Sequence, residues 1–400
     1  MKRVLLSQII ESLESGSRPK GGVNGLIGEI PSLGAEHLND EGGFNFEKLK
    51  LIQKDFYRFL KNGRIRQDDI LIVKDGATTG KVSYVNADFP YREAAINEHL
   101  FKIQINKKDA DPAYVFYYLK SVPGQHQILK DFRGATVGGI SRGFVDKVEI
   151  PYTNVTEQKR IAAILGKADA IRRKRQQAIK LADEFLRSVF LDIFGDPVLN
   201  PKGWPEKKLN QVSEIVSGVT KGRNLIGKKT IFIPYMRVAN VQDGHINIDD
   251  VQKIEVLDTE VEKYLLKEGD ILLTEGGDPD KLGRGAVWRG EIDPCIHQNH
   301  IFRVRTDNKK IIPEYLSALI GSARGKRYFL KAAKQTTGVA SINKTQLSNF
   351  PVIVPPLDRQ NEYLKMVNRI NTLIDKEKVK NKHLEKLFGS LLQSAFRGDL

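Results

Sequence analysis

The sequence predicts an α+β chain in which two mixed α/β domains repeat one another and are separated by two long helices. Three observations carry this. The chain reads twice at an offset of 201 to 202 residues, each copy opens with short alternating apolar segments broken by glycine turns, and each closes in a proline-free run of strong helix formers. A period this long is that of a whole domain with its connection, well beyond the roughly 20–50 residues of a solenoid repeat.

The repeat is ordered. Ser15-Gly16 returns as Ser217-Gly218, Asp69-Ile70-Leu71-Ile72 as Asp270-Ile271-Leu272-Leu273, and Asn97-Glu98-His99-Leu100-Phe101 as Gln298-Asn299-His300-Ile301-Phe302. Pro112-Ala113-Tyr114 returns as Pro313-Glu314-Tyr315, Val137 to Arg142 as Val339 to Lys344, and Phe194-Gly195-Asp196 as Phe396-Arg397-Gly398-Asp399. Within each copy, segments such as Ile70 to Val73, Val82 to Val85 and Phe101 to Ile105 alternate as strands do. The proline before Ala113 to Ser121, and its counterpart before Glu314 to Ser322, places a helix in each domain, which excludes a pure barrel.

The runs Thr156 to Phe194 and Asp358 to Phe396 contain no proline and one glycine each, so each is predicted to be a single helix. In the first, Ile161, Ile164, Leu165, Ala168, Ile171, Ala178, Ile179, Ala182, Phe185, Leu186, Val189 and Ile193 form an apolar stripe. In the second, Tyr363, Val367, Ile370, Ile374, Leu384, Leu387, Phe388 and Leu391 do so, with a polar interval at Lys376 to Asn381. Two such stripes predict an antiparallel coiled coil about 55–60 Å long. Antiparallel pairing relates the two domains by pseudo-two-fold symmetry and presents their repeated loops in inverted orientation. The run Arg172 to Arg175 on the first helix is expected to be a solvated or partner-facing patch.

Composition points to a leading class of partner, with simple solubility as the alternative reading of the charge. With 64 Lys and Arg against 49 Asp and Glu, the net charge is +15 and attracts polyanions, nucleic acid above all. A single cysteine, Cys295, excludes an internal disulfide and a four-thiolate zinc site and suits the cytoplasm. No uncharged run approaches the ~18 residues of a membrane span, so neither secretion nor membrane insertion is expected.

The doubled order of Ser-Gly start, Asp-Ile-Leu strand, glycine-rich loop and Asn/Gln-x-His-x-Phe strand resembles the specificity subunit of type I restriction-modification enzymes. So does the closing proline followed by Thr156-Glu157-Gln158-Lys159-Arg160 or Asp358-Arg359-Gln360-Asn361-Glu362 at a helix start. The resemblance covers the whole chain. It implies a target recognition domain at 1–152, a central conserved helical region at 153–196, a second target recognition domain at 197–355 and a C-terminal helical region at 356–400. It also implies a non-catalytic subunit in which each recognition domain reads one half of a bipartite, asymmetric double-stranded DNA site. The implied partners are two adenine-methyltransferase (modification) subunits and motor-nuclease (restriction) subunits. The first domain lacks the Gly203-Trp204-Pro205 lead of the second, so its first edge is expected to be less buttressed.

Base edges are read by donors and acceptors on loops, whereas Lys and Arg reach phosphate. The candidates for DNA contact in the first domain are Arg18, Lys20, Lys74, Thr78, Thr79, Lys81, Arg133, Thr136, Ser141 and Arg142. In the second they are Lys221, Arg223, Lys281, Arg284, Lys334, Gln335, Thr336, Thr337, Asn343 and Lys344. Rival chemistry is thin. Pro279-Asp280 with Asp307-Asn308-Lys309 superficially resembles a Mg²⁺-dependent nuclease, the alternative being a stand-alone endonuclease with duplicated readers, but the first repeat lacks the pattern. Cys295, His297 and His300 have zinc-ligand chemistry without a fourth ligand, and His300 is read as a structural histidine. With neither a nucleotide-binding loop nor an Asn/Asp-Pro-Pro-Tyr methylation motif, no cofactor is expected: the chain should bind neither ATP nor S-adenosylmethionine itself.

Overall fold

The computed structural model describes residues 2–20, 22, 28–134, 138–277, 282–336 and 339–400. The chain divides into two compact units, one of Met1–Ala178 with Glu377–Leu400, the other of Ile179–Lys376. Each contains strands and helices in the same order, so the α+β repeat read from the sequence is the repeat of the fold.

In the first unit a four-stranded antiparallel sheet runs in the order Ile10–Ser15, Leu100–Ile105, Ile70–Val73, Val82–Tyr84. A three-stranded sheet of Lys50–Ile52, Ile30–Leu33 and Ala95–Ile96 adjoins it, its last pair parallel. The second unit repeats both. Its four-stranded sheet is ordered Ser213–Ser217, Ile301–Thr306, Ile271–Thr274, Gly285–Val287, and its three-stranded sheet Gln252–Leu257, Thr230–Met236, Ile296–His297. Register matches as well: Ile70 faces Ile103 as Ile271 faces Val304. The edge strand Lys2–Leu5 pairs with Glu149–Tyr152 over four residues and Glu206–Lys208 with Pro351–Ile353 over three; Trp204, in the lead that the first domain lacks, packs on the second core and donates its indole N–H to Phe194 O at 3.2 Å.

Pro112 and Pro313 open the helices Pro112–Lys120 and Pro313–Gly321, one residue earlier than predicted, because a first-turn proline forfeits no hydrogen bond. Their buried tyrosines tie the helix to the closing strand: the Tyr114 hydroxyl donates to Pro151 O at 2.9 Å, and that of Tyr315 to Ile353 O at 3.0 Å.

Both long helices form, over Val155–Phe194 and Leu357–Arg397. The polar interval Lys376 to Asn381 does not break the second. In the first unit Ile161 and Leu165 of one helix and Phe388 and Phe396 of the other enter the same core as Tyr114 and Tyr118. Ion pairs set the direction there: Arg172 meets Glu385 at 3.2 Å and Arg175 meets Glu377 at 3.4 Å, so the two segments run antiparallel. In the second unit Phe190 and Phe194 stack around Tyr315 and Tyr363.

The predicted stripe needs correction at its centre. Ile171 and Phe185 are 50% and 47% exposed, and Ala178 and Leu387 are exposed too. In their stead Arg172 is buried, at 7% exposure, with Nε and Nη2 donating to Asp169 Oδ1 at 3.0 and 2.8 Å. Arg173 Nε donates to Asp169 Oδ2 at 2.7 Å, and Lys120, whose ammonium burial lowers to about 8, lies 3.9 Å from the same carboxylate. The basic run is therefore not a solvated patch: three of its four residues bind acids inside the unit, and Lys174 alone is exposed without such a pair among the described residues.

The Gln of each helix-start motif has a structural task. Gln158 accepts the Asp111 N–H at 2.9 Å and donates to Thr153 O at 2.8 Å; Gln360 accepts the Ile312 N–H at 2.8 Å and donates to Pro355 O at 2.7 Å. Both are buried, and each locks a long helix onto its domain at the turn before the proline-capped helix. Gln158→Ala or Gln360→Ala leaves a buried backbone N–H without its acceptor, and each is expected to destabilise its own unit by about 2–3 kcal/mol, read by denaturant-dependent hydrogen exchange.

Candidate nucleic-acid interface

Strand ends and loops converge at one corner in each unit. In the first, the strand Ile70–Val73 runs into the loop from Lys74 to Lys81. Lys74 N donates to His99 O at 2.9 Å, Ile140 N to Lys74 O at 2.7 Å, and Gly76 N to Gly138 O at 3.1 Å. Asp75 and Arg133 both bridge Gly139, which draws the loop around Arg133 and Ser141 against the first loop. The second unit builds the same corner from Glu275 N to His300 O and Ile342 N to Glu275 O, each 2.9 Å. Here the bridges have grown into a small sheet of Gly276–Gly277, Val339–Ser341 and Lys334–Thr336.

The close approach of loop to strand needs glycine. A Cβ on Gly16 would lie 2.0 Å from Ile96 O, and one on Gly218 would lie 2.0 Å from His297 O, which accounts for the repeated Ser-Gly.

Several predicted contact residues meet here. Lys74 lies over the Phe101 ring, 5.7 Å from its centre, and 3.9 Å from Asp75. Arg18 holds Glu98 at 2.7 Å, Lys81 holds Asp40 at 2.8 Å, and Arg133 reaches Asp131 at 3.5 Å. Burial opposes ionisation of Asp131, yet hydrogen bonds from Lys147 and Ser141 hold its carboxyl at about 2. Lys20, Thr78 and Arg142 are exposed, and Arg142 also donates to Leu13 O. Thr79 is bound into its own loop, donating to Gly76 O at 2.7 Å, and Ser141 donates to Asp131 at 2.7 Å.

In the second unit Lys221, Lys334 and Lys344 are exposed, and Arg284 donates to Gln242 at 3.3 Å. Arg223 is held by Glu260 at 2.9 Å rather than by a group of the corner. Asn343 commits its carbonyl to capping the helix Lys344–Ser348, accepting from Gln346 N at 2.9 Å. Thr136, Lys281 and Thr337, with Pro279-Asp280 of the nuclease pattern, lie outside the described residues, and only the backbone of Gln335 and Thr336 is described.

Two residues missed as candidates stand at the centre. His99 and His300, 46% and 56% exposed in their side chains, place Nδ1 at 2.5 Å from Asp75 and 2.7 Å from Glu275. His300 is therefore a surface group, not the structural histidine expected. The signal available in sequence was the recurrence of His with an acid just beyond the Asp-Ile-Leu strand.

His297 is the structural one: fully buried, with its ring nitrogens 3.1 Å from Tyr264 O and 3.3 Å from Val216 O. Burial pushes its imidazolium down to about 4 and the Cys295 thiol up to about 12. Among the described residues no group of three or more His, Cys, Asp or Glu is placed to hold a metal ion. Because folding favours neutral His297, its contribution is intact above pH ~6.5 and is lost as the pH falls through about 4. The second unit is expected to lose up to about 3 kcal/mol over that window. Denaturant titrations between pH 7 and 4 should show a loss that His297→Asn removes.

No helix among the described residues is long and apolar enough to cross a membrane. Known proteins share this architecture. The chain is 24% identical over 391 residues to the type I restriction enzyme StySPI specificity subunit of Salmonella potsdam, covering 93% of this chain and 82% of that protein. It is 23% identical over 393 residues to the EcoKI specificity subunit of Escherichia coli K12, with the same coverage. Among solved structures, the type I restriction-modification S subunit from M. genitalium superposes with a TM-score of 0.59 at 16% identity, over 99% of this chain and 96% of that one. The model of the type I restriction modification DNA specificity domain matches twice, at residues 1–181 and 201–386, one match to each repeat. A doubled α+β domain, matched twice by one model, places this chain in the type I restriction-modification DNA specificity family.

Proposed function

We propose that this chain is the DNA-recognition and scaffold subunit of a type I restriction-modification complex, with recognition domains at 1–152 and 197–355 and helical regions at 153–196 and 356–400. It performs no chemistry itself. Each domain reads one half of a bipartite site, and modification subunits methylate an adenine in each half, with restriction subunits completing the assembly in the cytoplasm. The observation that carries this reading is the corner of loops built twice from one fold with different side chains. Two readers of one design and unlike surface chemistry suit two half-sites of unlike sequence. A net charge of +15 supplies the salt-dependent attraction to phosphate. The endonuclease alternative draws no support from the relatives, which are specificity subunits.

The test is to reconstitute the chain with modification subunits and map methylated adenines on mixed-sequence DNA. A split, asymmetric site is expected, and exchanging residues 1–152 for another recognition domain should rewrite one half alone. Both halves changing together, or cleavage by the purified chain with Mg²⁺ alone, would overturn the proposal.

A further inference from the structure

The two units are a comparison the protein makes with itself. Positions that keep their chemistry in both readers serve what the two half-sites share, the phosphate backbone. Positions that change serve what differs, the bases.

Backbone hydrogen bonds fix which residues correspond, independently of drift in the sequence offset. Val73 N donates to Lys81 O and Thr274 N to Arg284 O, both at 2.9 Å, so Lys81 and Arg284 are equivalent. Arg133 pairs with Gly139 as Lys334 pairs with Ser341. Arg142 and Lys344 each begin a helical turn directly after the polar cap residues Ser141 and Asn343. All three pairs are basic in both units. They flank one corner, and each carries a charge that a phosphate oxygen accepts whatever the base.

One position at that corner inverts. Lys74 N and Glu275 N make the same bond, to His99 O and His300 O, and Lys74 O and Glu275 O accept from Ile140 N and Ile342 N. The same point in the fold thus carries an ammonium in one unit and a carboxylate in the other. Neither is fully exposed: the side chains are 25% and 32% accessible, Lys74 lying on the Phe101 ring and Glu275 meeting His300 Nδ1 at 2.7 Å. A carboxylate beside phosphates is repelled unless it accepts a hydrogen bond, and on a base edge cytosine N4 and adenine N6 are the donors. An ammonium seeks the O6 and N7 of guanine.

We propose that the corner held by Lys74 and Glu275 is a base-reading position of opposite preference in the two half-sites, and that Lys81/Arg284, Arg133/Lys334 and Arg142/Lys344 clamp phosphate around it. This rests on the DNA-recognition function proposed above.

The experiment uses the full chain assembled with modification subunits and a randomised DNA library, scored by adenine methylation. Glu275→Lys is expected to change the preferred base at one position of the second domain's half-site, with discrimination at that position altered by roughly tenfold or more, and to leave the other half-site alone. Lys74→Glu should do the converse. Arg142→Gln and Lys344→Gln should weaken binding to cognate and mixed-sequence DNA alike and reduce the salt slope by about one, with every letter unchanged. Glu275→Gln keeps the side-chain shape and Lys74→Met its length, each without the charge, and relaxed discrimination at the same single position is expected of them should a charge reversal fail to fold. Unchanged letters in folded Glu275 and Lys74 variants would overturn the assignment, as would altered letters in Arg142→Gln or Lys344→Gln. A wild-type complex that selects no split sequence would instead overturn the function on which it rests.

Discussion

Gly218→Ala is expected to destabilise the second unit by about 3–5 kcal/mol and to abolish recognition of one half-site while sparing the other; Gly16→Ala is expected to do the reverse. The added methyl would sit 2.0 Å from His297 O, 2.5 Å from His297 C and 2.6 Å from Gln298 O; for Gly16 it would sit 2.0 Å from Ile96 O and 2.4 Å from both Ile96 C and Asn97 O. All of these are backbone atoms of the segment that leads into the central strand, so no rotamer change relieves the clash. Moving that segment also moves His99 or His300 and the carboxylate each holds. Gly389 is the control. It lies inside the second long helix with nothing within 4 Å of its would-be Cβ, and Gly389→Ala should stabilise by about 0.5–1 kcal/mol through helix propensity. Differential scanning calorimetry, with methylation of each half-site followed separately, distinguishes these outcomes. A Gly218→Ala chain that melts like the wild type would refute the close-approach argument.

Asp169→Ala is expected to cost the first unit about 3–5 kcal/mol. Asp169 is 2% exposed and neutralises Arg172 and Arg173 while lying beside Lys120. Its removal leaves Arg172 with Glu385 alone, at 3.2 Å, in a site that also contains the Phe388 ring 5.6 Å away. Lys120, already held near 8 by burial, loses the carboxylate that opposes this shift, and its ammonium should titrate lower still. Asp169→Asn should cost less, because the amide retains one acceptor for the guanidinium. Arg172→Met restores an apolar contact at that position and, combined with Asp169→Ala, should recover part of the loss. Urea unfolding of Asp169→Ala, Arg172→Met and the double variant measures the coupling. Additive costs would mean that the cluster is not a unit.

Much of the architecture was legible because it was written twice. The strand around Ile70 and Leu71, the proline-led helix at Tyr114 and the two long helices each had a second copy to support the first, and local pattern agreed with the fold. What escaped depended on contacts between distant residues. Arg172 looked like part of a solvated basic run because nothing local shows Asp169 and Glu385 converging on it, and Ile171 was placed in the seam because helical spacing alone cannot separate adjacent positions near a stripe's edge. Glu275, the counterpart of the candidate Lys74, was passed over for a different reason: candidates were sought among cations and neutral polar side chains, and a carboxylate is neither. The offset is still 201 at Lys74 and Glu275 and reaches 203 only by Lys81 and Arg284, where the hydrogen-bond ladder fixes the pairing. Among the candidate contacts, Thr79, Ser141 and Asn343 had suitable chemistry, but their side chains are engaged in local turns and caps, which residue type alone does not reveal.

The first unit is closed by residues 377–400, whereas the second is continuous from 179 to 376. On the ribosome the order of completion is therefore inverted: the reader translated second has all of its own core as soon as residue 376 emerges. The reader translated first waits with Tyr114, Tyr118 and Ile161 uncovered until Phe388 and Phe396 arrive. A nascent chain halted within the last helix would carry one finished reader and one sticky, half-built one, a natural client for chaperones and proteases.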